Sequence, residues 1–112
     1  MKYRQERLNS LIREELSKII ARDMEFDGAL VTLTKADIRD DFSNVKIGVS
    51  ALPSSKVEAA LEKLISNAGN LKHSLLKKMK IRSVPDLVFE IDHGPEKAAQ
   101  IEKILLNDNI ER

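Results

Sequence analysis

The feature that most limits the possible folds is a long helical segment enclosed by two strand patterns. Residues 45–51 alternate apolar with polar or small side chains, which is typical of a strand with one buried face. In a second strand pattern, Leu87, Phe89 and Ile91 alternate with Val88, Glu90 and Asp92. Between them, residues 53–79 carry apolar side chains at helical spacing, with one interruption at residues 67–70. A connection of this length can cross over a sheet and return parallel to the first strand. The sequence therefore permits a parallel pair of strands joined by two consecutive helices.

Two further elements precede this unit. Residues 4–23 repeat leucine and isoleucine at helical spacing, and residues 29–37 are rich in β-forming side chains. The apolar residues of the second segment change phase after Leu33, so we expect a β-bulge in this strand. Residues 39–44 are turn-like, which predicts a hairpin with the strand at 45–51.

Local signals set the predicted helix boundaries. Ser55 and Glu58 have capping-box spacing, which places the start of the second helix there. Val84-Pro85 is expected to end the third helix, because the residue before proline disfavours helical backbone. A last short helix is predicted at about residues 96–106. We expect its apolar residues to cover the domain's own sheet: Ile101, Ile104 and Leu105.

The predicted order is helix, strand, strand, helix, break, helix, strand and a short C-terminal helix. Strands and helices in this mixture predict an α+β two-layer domain, and 112 residues leave little room for a second domain. We expect residues 1–94 to form that domain. Residues 95–112 would be a C-terminal helix and tail, either part of the same domain or partly mobile.

Composition excludes several classes of protein. The chain has no cysteine, so a disulfide or a cysteine-based metal site is impossible. The first residues lack the apolar core of a signal peptide, and no apolar run approaches the ~20 residues of a membrane span. We therefore expect a soluble, intracellular protein that does not bind membranes.

The distribution of charge is more informative than the net charge of +1. Residues 63–85 contain no Asp or Glu but hold 6 of the 19 basic residues, whereas the rest of the chain is net acidic. Such segregation favours one face that binds a polyanion, because solvated helix faces usually mix both signs. The predicted contacts of this segment are Gly69, Asn70, Lys72, His73, Lys77, Lys78, Lys80 and Arg82.

The break between the two helices carries a resemblance to a known family. Residues 67–72 and 79–89, followed by Asp92, are similar to the signature of ribosome-binding factor A, in which an Ala-x-Gly kink replaces the GxxG loop of ordinary KH domains. Arg4 and Arg7 match the family's opening Arg-x-x-Arg, and we add both to the predicted RNA contacts. The resemblance covers residues 4–106 and implies a KH-like domain of type II.

The resemblance also implies a function. It implies a bacterial maturation factor that associates with free, immature small ribosomal subunits and assists late processing and folding of their rRNA, with a role in cold adaptation. The implied protein is cytoplasmic, non-catalytic and monomeric, and needs no cofactor. Two positions depart from the family. Asn67 stands at the kink alanine, and residues 25–28 lack the family's Asp-Pro-Arg, so no contact of that arginine is carried over.

Three alternatives remain open at the level of sequence. An enzyme is disfavoured because His73 and His93 have no nucleophile or metal-spaced partner, and Asp40-Asp41 is turn-like. A generic KH-like protein for single-stranded RNA or DNA would show the same charge pattern. A protein-interaction domain could use the last helix. Five phosphate contacts would give a salt slope near about −3.5, whereas protein association would be salt-independent.

Overall fold

The computed structural model describes the backbone of residues 2–110 and the side chains of residues 4–95, 97, 98 and 100–105. Residues 111 and 112 of the predicted tail lie outside this range. The elements, in chain order, are α1 (Lys2–Asp23), β1 (Leu30–Ile38), β2 (Asn44–Leu52), α2 (Val57–Ser66), α3 (Ala68–Met79), β3 (Asp86–Ile91) and α4 (Gly94–Ile110). This order confirms the predicted α+β fold.

The three strands form one sheet in the order β1-β2-β3. β1 and β2 are antiparallel, which confirms the hairpin, and β2 and β3 are parallel, so the crossover that the sequence permits is formed. The register of β1 shifts between Leu33 and Lys35, which places the expected bulge at Thr34.

The core lies between the inner face of the sheet and the first three helices. Val45, Ile47 and Val49 of β2 are completely buried, as their alternation with polar residues predicts. Leu16 of α1 and Leu75 of α3 are equally buried on the facing helices. The outer face of the sheet carries exposed side chains, so the described domain has two layers.

The break between α2 and α3 is a single residue. Asn67 ends α2 and begins α3, and its side-chain Nδ2 donates to the Lys63 carbonyl at 2.8 Å. Gly69 therefore lies in the first turn of α3 and not at the kink itself. No atom lies within 4 Å of the position that a Cβ would take on Gly69. In this chain, the amide side chain of Asn67 and not the glycine marks the break.

Two predicted helix boundaries are wrong. The capping box of Ser55 and Glu58 does not form, because residues 54–56 already make a 3-10 turn that leads into α2 without a side-chain cap. α3 ends at Met79, well before Pro85, because Lys80 adopts left-handed backbone with φ of 55°.

The expected packing of the last helix is also wrong. α4 is longer than predicted, and its apolar residues do not cover the sheet: Ile101, Ile104 and Leu105 are 57 %, 60 % and 57 % exposed. The reason is that α1, α2 and α3 already cover the inner face. Among residues 2–110, no helix is long and apolar enough to cross a bilayer.

Candidate nucleic-acid interface

The exposed side of α3 carries the basic residues predicted from the sequence. Leu71 and Leu75 are buried on the opposite side and hold α3 against the core. His73 and Lys77 are exposed, and Lys80 and Arg82 follow in the segment that leaves the helix. We call the exposed residues His73, Lys77, Lys80 and Arg82 the basic surface. Gly69 and Asn70 are exposed at its start, in the first turn of α3.

The cations of this segment differ in how available they are. The Lys72 ammonium lies 2.7 Å from the Asp86 carboxylate, and the Lys78 ammonium lies 3.0 Å from that of Glu15. The hydrogen bond from Lys78 lowers the pKa of the Glu15 carboxyl. The acid-free stretch of sequence therefore does not produce an acid-free surface, because β3 and α1 bring acids to it.

The lysine and arginine side chains of the basic surface, in contrast to Lys72 and Lys78, have no carboxylate partner among the described residues. Of the side chains that the structure describes, none forms an ion pair with Lys77, Lys80 or Arg82. Lys63, the first cation of the segment, is separate from this group. Its ammonium donates to the Glu25 carbonyl and lies 5.5 Å from the centroid of the Phe26 ring. These contacts attach Lys63 to the loop before β1.

A groove of about 370 Å³ runs between α1 and α3 beside the basic surface. Lys77 and Lys78 border it from α3, and Arg22 borders it from the end of α1. Arg22 is not among the RNA contacts predicted from the sequence, because it lies outside the acid-free segment. Its guanidinium donates to the neighbouring Asp23 at 2.7 Å, which raises the pKa of Arg22 and lowers that of Asp23.

The two arginines predicted from α1 lie apart from α3. Arg4 and Arg7 are both exposed near the start of α1. Arg4 borders a groove of about 490 Å³ together with Leu8, Asp40 and Phe42. A second groove, of about 330 Å³, contains Lys72 and is also bordered by Leu8 and Phe42. Phe42 of the β1–β2 turn therefore lies between Arg4 and Lys72, a position that its turn-like sequence did not predict.

The groups that could support catalysis are dispersed. His73 lies on α3 and His93 follows β3. Asp41 accepts hydrogen bonds from the hydroxyl and the backbone N–H of Ser43, which lower the pKa of its carboxyl and close a turn. Among the described residues, no three acidic or histidine side chains are grouped closely enough to hold a metal ion.

A fourth groove, of about 870 Å³, lies between the end of α1 and the start of β1. Glu25 and Asp27 supply the ionisable groups of its described lining. Its described lining therefore contains no cation that could bind a polyanion.

Comparison with solved structures defines the class of fold. A crystal structure of ribosome-binding factor A from Thermus thermophilus superposes with a TM-score of 0.67 at 22% identity, over 78% of this chain and 93% of that one. A solution structure from Thermotoga maritima gives 0.68 at 22% identity, over 84% and 92%. The fold is therefore KH-like, as predicted. A homology model of the Thermus thermophilus factor, fitted into a cryo-EM map of its 30S complex, gives 0.65 at 21% identity.

Sequence comparison defines the family. The family model of ribosome-binding factor A matches residues 4–105. A ribosome-binding factor A from Caldanaerobacter subterraneus is 32% identical over 108 residues, which cover 94% of this chain and 88% of the relative. One from Akkermansia muciniphila is 29% identical over 105 residues, which cover 94% and 84%. The chain belongs to the ribosome-binding factor A family, as its sequence signature predicted.

Proposed function

We propose that this chain is a ribosome maturation factor that binds free, immature small ribosomal subunits through their rRNA. The observation that carries the proposal is its family membership over residues 4–105, joined to three unpaired cations on one surface. The 30S complex of the Thermus thermophilus relative supports the choice of subunit. A protein with this partner would act in the cytoplasm.

The proposed mechanism is binding without chemistry. Lys77 and Lys80 supply point charges that displace counterions from phosphates, and the planar guanidinium of Arg82 pairs with phosphate oxygens. The rigid attachment of α3 to the core through Leu71 and Leu75 keeps these charges in place. The protein would hold a local rRNA conformation during late processing and folding, most usefully in the cold, and would then dissociate. This role needs no cofactor.

Co-sedimentation with small subunits, large subunits and intact ribosomes tests the proposal. We expect the protein to pellet with small subunits and to remain in the supernatant with the other two. Equal binding to all three particles would reduce the function to that of a generic KH-like RNA-binding domain. Absence of binding to every particle would refute it.

Charge reversal tests the proposed surface. Each phosphate contact contributes about five-fold in affinity near 0.1 M salt, so Lys77→Glu combined with Lys80→Glu should weaken subunit binding about 25-fold. The control Lys46→Glu reverses an exposed charge on the opposite face of the sheet and should leave binding unchanged. Circular dichroism checks that all variants are folded. Retained binding by the double variant would move the site away from α3.

A protein-interaction role is the second candidate, and the exposure of α4 favours it. Ile101, Ile104 and Leu105 recur at helical spacing and are all more than half exposed. If α4 docks on a ribosomal protein, Ile104→Ser with Leu105→Ser should weaken subunit binding without changing its salt dependence. Under RNA binding through α3 alone, that variant should bind as the unchanged protein does.

A further inference from the structure

Phe42 occupies an unusual position in the turn between β1 and β2. The residue is 56 % exposed, although phenylalanine usually contributes to a core. Its backbone is left-handed, with φ of 58°, a conformation that bulky residues rarely adopt. Exposure of the apolar ring and the left-handed backbone both cost folding free energy. If the turn does not require a phenylalanine, a functional contact of the ring would explain why one stands here.

The turn itself does not require a phenylalanine. The Phe42 N–H donates to the Arg39 carbonyl at 2.8 Å, and the Arg39 N–H donates to the Asn44 carbonyl at 2.9 Å. A left-handed residue that follows such a turn is most often glycine or asparagine, which adopt this backbone at little cost. Backbone hydrogen bonds would therefore form at least as well without the ring.

The surroundings of Phe42 connect separate parts of the predicted interface. The ring borders the groove that contains Arg4 and the groove that contains Lys72, and Leu8 lines both. More than half of the surface of Phe42 is exposed. An exposed aromatic ring that borders two grooves, each with one cation in its lining, offers a flat surface to a planar ligand.

The charges around the ring distinguish between parts of a nucleotide. Asp40 borders one groove and Asp86 borders the other, and the Asp41 carboxylate precedes the ring in the turn. These carboxylates repel phosphates, but they accept hydrogen bonds from the amino groups of unpaired bases. The ring is thus suited to a base, whereas phosphates are suited to the basic surface.

We infer that Phe42 is a stacking platform for an unpaired base of small-subunit rRNA. The inference rests on the proposed function and adds to it a contact that reads a base and not the backbone. Single-stranded bases commonly stack on exposed aromatic side chains. Arg4 lines one of the two grooves beside the ring and Lys72 lines the other, so each groove also holds one cation.

Three substitutions test the inference in the complete protein. Phe42→Leu keeps an apolar side chain against Leu8 but removes the π face, and should weaken small-subunit binding about five-fold or more. Phe42→Gly relieves the left-handed backbone and should weaken binding equally. Phe42→Trp should bind at least as tightly as the unchanged protein. The salt slope should be the same in all three, because no phosphate contact is lost.

The same tryptophan provides a direct probe of stacking. The chain contains no other tryptophan, so fluorescence of the Phe42→Trp variant reports on this position alone. Titration with protein-free small-subunit rRNA should quench that fluorescence, since a base stacks on the indole. Quenching together with weak binding of Phe42→Leu would support the inference.

Other outcomes overturn it. Unchanged binding of Phe42→Leu and Phe42→Gly would mean that the ring makes no energetic contact. Weakened binding without quenching by rRNA would mean that the ring docks on a ribosomal protein. A lower melting temperature of Phe42→Leu, with subunit affinity retained, would assign the ring a structural role. Failure of the unchanged protein to bind any subunit would instead refute the proposed function.

Discussion

Lysines that are close together in the sequence differ in whether their ammonium groups are free to bind an RNA phosphate. Lys72 and Lys78 each have a carboxylate partner within about 3 Å, whereas Lys77 and Lys80 have none among the described side chains. Exposed ion pairs of this kind contribute only about 0 to 1 kcal/mol, so a phosphate can replace the carboxylate at small cost. The paired lysines therefore bind phosphate more weakly than the unpaired ones.

This difference predicts the salt dependence of RNA binding. The three unpaired cations Lys77, Lys80 and Arg82 give a slope of about −2, lower than the −3.5 expected when five residues contribute equally. Asp86→Asn releases Lys72, and Glu15→Gln releases Lys78. Each substitution should tighten binding and steepen the slope by about 0.7.

Affinity for small-subunit rRNA, measured between about 50 and 200 mM salt, gives this slope directly. Asp37→Asn removes an exposed carboxylate from β1 and serves as the control for net charge. A slope that stays the same in Asp86→Asn and Glu15→Gln would mean that Lys72 and Lys78 do not contact RNA. Loss of affinity would mean that their carboxylate partners are themselves part of the site.

At the scale of elements, one polar network joins β1, the segment after β3 and the start of α4. The hydroxyl of Thr34, the bulged residue, donates to the Asp92 carboxylate at 2.6 Å, and the same carboxylate accepts from the Gly94 N–H at 2.9 Å. Gly48 lies opposite the bulge, where a Cβ would approach the Thr34 hydroxyl to 2.5 Å. The bulge thus aims a hydroxyl that both holds Asp92 and excludes any larger residue at Gly48.

The network makes a predictable contribution to acid stability. The hydrogen bond from Thr34, followed by that from Gly94, lowers the pKa of Asp92 below its ordinary value of 3.8. The charged form therefore favours the folded state. Its contribution is complete well above pH 3.8, declines as the pH approaches that value, and is lost below the lowered folded-state pKa.

Thr34→Val removes the donor while it keeps the shape of the side chain. We expect this variant to lose about 1.5 kcal/mol of unfolding free energy at pH 7, and the difference from the unchanged protein to shrink as the pH falls below 3.8. Urea unfolding at pH 7 and at several acidic values measures both quantities. Thr32→Val, an exposed position on the same strand, is the control. A difference that is independent of pH would exclude Asp92 as the cause.

Elements whose signals are local and periodic could be predicted from the sequence. The alternation around Val45, Ile47 and Val49 fixed β2, and the change of phase after Leu33 located the bulge. The end of α3 could not be predicted, because the residue with left-handed backbone after it is Lys80 and not the glycine or asparagine that usually signals such an end. The packing of α4 could not be predicted either. Its apolar residues have the same helical spacing whether or not the face of the sheet is already covered by other helices.

The sequence predicted which cations lie in the candidate site but not which of them form ion pairs. The cations of α3 are adjacent in the sequence, and helical geometry places them on an exposed side without further information. Glu15 reaches Lys78 only because α1 packs beside α3, which is a tertiary contact. The position of Phe42 beside two grooves likewise depends on the tertiary structure and could not be predicted from its neighbours in the chain.

For the whole molecule, the distribution of buried residues separates a compact domain from α4. The hydrophobic core, as far as the described residues define it, extends from Ile12 on α1 to Phe89 on β3. No described residue of α4 is buried, and the side chains of Ile101, Ile104 and Leu105 are more than half exposed. The described core residues therefore all precede α4, and the boundary after residue 94 stays a prediction.

Removal of residues 95–112 tests this division directly. Because the deleted segment contributes no described core residue, the shortened chain should fold with an unfolding free energy within about 1 kcal/mol of that of the complete chain. It retains Gly94, whose N–H donates to Asp92, so the polar network that joins β1 to this region stays intact.

Urea unfolding followed by circular dichroism gives the stability, and co-sedimentation of the same shortened chain with small subunits gives the function. Unchanged stability with unchanged binding would assign both the fold and RNA recognition to residues 1–94. Unchanged stability with weakened binding would instead identify α4 as a contact with the subunit, since its exposed Ile101, Ile104 and Leu105 would be the groups removed. A loss of several kcal/mol would contradict the division, because it would require α4 to pack against the domain in solution and thereby bury the apolar face that is exposed in the structure.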